Sequence, residues 1–134
     1  MIKNKLHIIS IIIFLISCSK EKLPEGNYIG EFHYENSTIP DQMIWLKIVT
    51  STKDHMLIGA TDYSGNLMFS YLDTLYKNDN TITGKVPSNY LVPFHINGVW
   101  FSSNKNFITG KFTQTFYQGG NQYIYSGSFK LNPN

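Results

Sequence analysis

Six times along this chain a glycine sits inside a segment that otherwise reads as a β-strand. The segments are "NYIGEF" at Gly30, "MLIGAT" at Gly59, "TITGKV" at Gly84, "HINGVW" at Gly98, "FITGKF" at Gly110 and "IYSGSF" at Gly127. Glycine weakens a strand interior, because it packs no side chain and loses the most freedom on ordering. Around five of the six, the residues two before and two after are both apolar: Tyr28/Phe32, Ile82/Val86, Ile96/Trp100, Ile108/Phe112 and Tyr125/Phe129. Side chains alternate across a strand, so each of these glycines shares a face with its apolar neighbours, the inward one. A small closed sheet must bend its strands sharply, and a missing side chain on the concave face relieves crowding there.

From Gly26 onward no 3.6-residue periodicity is sustained. Short runs of β-branched and aromatic residues predict strands near 27–35, 43–51, 55–63, 66–76, 81–86, 94–102, 106–117 and 121–131. The breaks are "TKD", "SGN", "KNDN", "SNKN" and "QGGN", whose Gly, Asn and Asp tolerate the positive φ of tight turns. Two connections are longer, "NSTIPDQ" at 36–42 and "PSNYLVP" at 87–93. Hairpin after hairpin predicts an all-β fold, an eight-stranded antiparallel meander closing into a small barrel. An open twisted sheet or a sandwich using glycine at bulges is the alternative.

The first residues have a different character. Lys3 and Lys5 precede an apolar run from Leu6 to Ile16, too short to span a bilayer comfortably and laid out as a secretory signal. The run ends in "LISC", which resembles the lipobox of bacterial lipoproteins and implies cleavage before Cys18 and lipidation of its thiol. Cys18 is the only cysteine in 134 residues, so the domain that follows has no disulfide. At about 0.8 kcal/mol per buried methylene, two or three acyl chains hold a small domain on a membrane. The expected organisation is a signal peptide at 1–17, a lipidated tether at 18–25 and one domain at 26–134. Ser19 in place of an aspartate leans towards the outer membrane of a Gram-negative cell envelope.

Cleavage removes two of the eleven basic residues, leaving nine lysines against nine acids and no arginine. A chain without guanidinium forks or a positive field is poorly suited to nucleic acid. His33, His55 and His95 lie on separate strands, all expected to point outward, without metal-ligand spacing. There is no Gly-x-Ser-x-Gly elbow, and the turns "DYSGN" and "NDNTITG" lack the spacing of a calcium loop. The chain reads as a binding protein without cofactor rather than an enzyme.

"GNY" (Gly26, Asn27, Tyr28) opening the first strand of an eight-stranded meander resembles the start of lipocalin- and avidin-like barrels. Those families usually carry tryptophan where Tyr28 stands, and lipocalins place a late arginine over it that this chain lacks. The resemblance implies a ligand-binding barrel. The expected inward aromatics include Tyr28, Phe32, Tyr71, Trp100, Phe112, Tyr125 and Phe129, candidates for holding a small apolar or aromatic ligand. A core filled by the same side chains needs no ligand and is the simpler reading.

Alternation also predicts an unusual exterior. With Ile44, Leu46 and Ile48 inward, Met43 and Trp45 point out. With Leu57 and Gly59 inward, Met56 and Ile58 point out. With Leu67, Phe69 and Tyr71 inward, Met68 and Leu72 point out. These six outward residues form an expected methionine-rich patch for an envelope protein partner, since exposed apolar patches mark interaction sites and methionine suits adaptable contacts.

Overall fold

A computed structural model describes residues 21–35, 37–68, 72–90, 92–102 and 106–134. Cys18 and Tyr71 lie outside the described residues. The eight strands are β1 (Gly26–Tyr34), β2 (Gln42–Ser51), β3 (His55–Ala60), β4 (Asp73–Asn78), β5 (Thr81–Val86), β6 (Phe94–Phe101), β7 (Phe107–Gln118) and β8 (Asn121–Pro133). Each pairs antiparallel with the next, and β8 returns to β1 through a register running from Tyr28 opposite Pro133 to Tyr34 opposite Gly127. The sheet is a closed barrel.

Closure depends on the inward glycines lying beside large side chains of adjacent strands. Gly127 faces Phe112 on one side and Tyr34 on the other. Gly98 and Gly110 face each other across β6 and β7, and the Phe129 ring reaches over Gly98. Rings therefore cross the interior where a Cβ is missing. Phe32 is at the centre, stacked on Phe94 at 3.9 Å between centroids, with Phe112 and Phe129 each at 5.5 Å. Ile44, Leu46, Ile48, Leu75, Ile82, Ile96 and Ile108 complete a contiguous buried core. The outer faces carry exposed Glu31, His33, Lys85, His95, Asn97, Lys111 and Lys130. An apolar interior under a polar exterior is the inverse of a membrane-spanning barrel.

The two ends of the barrel differ. At the base the chain enters and leaves. Leu23 is buried there, the Tyr28 hydroxyl donates to the Pro24 carbonyl at 2.9 Å, and Ser51 N–H donates to the Glu25 carboxylate at 3.0 Å. The Lys77 ammonium stands 5.5 Å from the centroid of Trp100 at this end, a cation–π closure supplied by lysine.

Strand three departs from the expected register. Met56 and Ile58 are fully buried inside the barrel, so they are not part of an exterior patch. The β2–β3 ladder shifts between Ile48 and Thr50, where an extra residue bulges, and Met56 then falls opposite inward-facing Leu75 of β4. Gly59 consequently points outward, under Leu67 and Leu72, which fold back over it. The break expected at 64–66 is present as a turn over 62–66, where the Asp62 carboxylate accepts from the backbone N–H of Ser64 and Asn66 and from the Asn66 amide. Strand four, expected from 66, is β4 from Asp73 to Asn78. We expect Met56→Ala to lower the unfolding free energy by about 2–4 kcal/mol, and Met43→Ala by no more than about 0.5. Denaturant melts of the two variants check this ordering.

Burial pushes the hydroxyls of Tyr28 and Tyr34 up to about 12. The neutral phenol is favoured in the folded state, so this stabilisation is complete below the unfolded value near 10. It is lost as pH rises from about 10 through about 12. An alkaline titration following tyrosinate absorbance and circular dichroism together is expected to show a late tyrosine ionisation, that of Tyr28 and Tyr34, coinciding with loss of the fold.

Candidate functional site

At the end opposite the base, two strands outrun their neighbours. Pairing of β7 with β6 stops at Thr113 opposite His95, and pairing of β8 with β1 stops at Gly127 opposite Tyr34. From Gln114 opposite Tyr125 to Gln118 opposite Asn121, β7 and β8 pair only with each other. This ribbon rises beyond the barrel and turns at Gly119 and Gly120, with φ of 58° and 80°. Positive φ at both central residues is the requirement of a tight hairpin whose twist matches its strands, hence "GG" there.

The ribbon forms one wall of a cleft of about 330 Å³, lined by Phe116, Gln118, Tyr123 and Tyr125 together with Ile39 and Tyr90 from the two longer connections. Phe116 meets Tyr125 edge-to-face at 5.6 Å and Tyr90 at 6.3 Å. Both connections are fastened near the mouth. Asp41 accepts from the backbone N–H of Tyr34 at 3.2 Å and pairs with His33 Nδ1 at 2.7 Å, which holds its carboxyl below the usual range. Ile39 N–H donates to Ser37 Oγ, and Tyr90 N–H to Ser88 Oγ.

A buried polar layer separates this cleft from the aromatic core. The Tyr34 hydroxyl donates to Gln114 Oε1 and accepts from Gln42 Nε2. Gln42 Oε1 in turn accepts from Asn89 N–H, and Gln114 Nε2 donates to the Val92 carbonyl. Both glutamines thus tie the 87–93 connection to the barrel, with each amide using donor and acceptor. Tyr125 stands on this layer, perpendicular to Tyr34 at 6.4 Å.

Of the aromatics expected to hold a ligand, Tyr28, Phe32, Phe112 and Phe129 are core, each at most 2 % exposed and packed side chain to side chain. Trp100 lies at the base, its buried indole N–H without a partner among the described residues. Among the described residues of the set, Tyr125 alone lines the cleft. Of the expected exterior patch, Met43 and Met68 are exposed, while Trp45 and Leu72 are half-buried. Trp45 and Met68 do share a second cleft, of about 450 Å³, between the end of β3 and the 87–93 connection. His33, His55 and His95 are all exposed, and no three His, Cys, Asp or Glu side chains gather at metal-binding range among the described residues.

Ile39, Tyr90, Phe116 and Gln118 were not singled out by sequence reasoning. One signal pointed to them: strands seven and eight read longer than their neighbours, and a longer hairpin must leave the barrel. No protein-family model matches the chain, and neither a curated protein nor a solved structure is matched at a significant level.

Proposed function

We propose that this protein is a binding protein of the cell envelope, lipid-anchored to the outer membrane through Cys18, that captures a small ligand by its apolar or aromatic face. The aromatic cleft at the barrel mouth carries this reading. Its position relative to the anchor supports it further. Four residues separate Cys18 from buried Leu23, five residue steps that reach about 18 Å at full extension. The base is then held close to the bilayer and the mouth opens away from it.

The test is native mass spectrometry on protein purified gently from its own host. The expected result is a reproducible extra mass on the monomer, lost in Tyr125→Ala, with Cys18→Ser releasing the protein from the membrane fraction. A bare wild-type monomer would overturn capture of a ligand. Membrane association unaffected by Cys18→Ser would overturn the anchor.

A second reading is favoured by the filled interior together with the Trp45–Met68 cleft. Here the protein is an interaction module or envelope inhibitor that grips a protein partner. Under that reading Trp45→Ser preserves the fold and abolishes self-association or partner capture. A bare dimer in the same spectrum, dissociated by Trp45→Ser, would favour it.

A further inference from the structure

Granting that the mouth cleft is the binding site, we propose that its ligand is a neutral saccharide, with a pyranose ring lying against the ribbon's aromatic side chains. The first argument is charge. From Phe112 to Phe129 the chain runs eighteen residues without a charged side chain, and none lines the cleft. Glu35 and Asp41, which flank the 36–42 connection that supplies Ile39, are themselves paired, with Lys111 and His33. An anionic or cationic ligand finds no counter-charge there, and desolvating its charge would go uncompensated.

The second argument is enclosure. A lipid or hydrocarbon is held by burying most of its surface. The barrel interior that could do so is occupied by Phe32, Phe94, Phe112 and Phe129 and closed off by the Tyr34–Gln42–Gln114 layer. What remains is open: Tyr90 is 47 % exposed and Tyr123 43 %. Such a site suits a ligand that keeps much of its surface wet.

The third argument is the kind of side chain. The lining is Tyr90, Tyr123 and Tyr125 with Phe116 and Gln118, flat apolar faces edged with hydroxyl and carboxamide groups, and Ile39 is its one aliphatic side chain among the described residues. A pyranose has the matching surface, a face of C–H groups rimmed by hydroxyls. The nearly perpendicular setting of Phe116 against Tyr125 and Tyr90, 75° in both cases, forms an angular corner rather than a flat patch.

The experiment is calorimetric titration of the full mature protein in a detergent without a sugar headgroup. The probes are neutral tetrasaccharides of glucose (α- and β-linked), mannose and N-acetylglucosamine, with the uncharged dye N-phenyl-1-naphthylamine in parallel. At least one saccharide is expected to bind, and Tyr123→Ala to weaken it roughly tenfold or more while the thermal unfolding curve stays in place. Saccharide binding unchanged in Tyr123→Ala would overturn the assignment to this cleft. Dye binding that needs Tyr123, with no saccharide bound, would overturn the saccharide class and leave the mouth as a site for apolar ligands. Neither probe binding would overturn both.

Discussion

Replacing Phe32 with alanine is expected to cost about 3–5 kcal/mol of unfolding free energy, enough to leave a domain of this size barely folded. The ring is 1 % exposed and touches three other aromatic rings, Phe94, Phe112 and Phe129, at centroid distances of 3.9, 5.5 and 5.5 Å. Its removal forfeits the transfer term and leaves a hole lined by rings that neighbouring glycines cannot fill. Phe101 is the control, because it stacks on Phe107 at 4.9 Å but is 44 % exposed. Phe101→Ala should cost no more than about 1 kcal/mol. Guanidinium melts of both variants measure the contrast. A Phe32→Ala cost below that of Phe101→Ala would mean that the barrel interior yields freely, and would return the ligand to the lumen.

That contrast also separates what the sequence made legible from what it did not. The strands, their hairpin order and the inward setting of Gly30, Gly84, Gly98, Gly110 and Gly127 follow from period-two alternation, which each strand carries by itself. Strand three lacks that signal. Met56, Leu57 and Ile58 are consecutive apolar residues, so parity cannot be read from them, and Gly59 reads as inward by analogy with the other five. The bulge after Ile48 and the cover of Leu67 and Leu72 set the opposite parity. Nor could a roster of inward aromatics say whether the rings line a lumen or fill it. That depends on distances between rings of different strands, such as Phe32 and Phe94. The mouth cleft was least legible, because Ile39, Tyr90 and Phe116 come from three separated segments joined only by closure and the polar layer.

The seam that makes this closure gives the second large effect. Gly127→Ala should destabilise the protein by about 3 kcal/mol, the upper end of the overpacking range. A Cβ at Gly127 would overlap the His33 carbonyl oxygen of β1 and lie 2.8 Å from the Phe112 ring. The first of these is backbone, so strands β1 and β8 must part. Gly30→Ala is the comparison on the same seam, because there the Cβ meets side chains, Leu131 at 2.6 Å and Phe32 at 2.8 Å. Its cost should stay nearer 1 kcal/mol, if the Leu131 terminus moves aside. For a domain of about a hundred residues each kcal/mol shifts the midpoint by about 4–8 °C, so thermal scans separate the two variants. Hydrogen exchange gives the sharper reading. In Gly127→Ala the amides shared by β1 and β8 should lose protection first, while the β6–β7 ladder keeps it. Because the ribbon leaves the barrel directly beyond Gly127, the same variant should lose ligand at the mouth while its remaining strands stay paired. Equal midpoints for the two glycine variants would show that β1 and β8 do not approach so closely, and the mouth would then owe its shape to the connections rather than to closure.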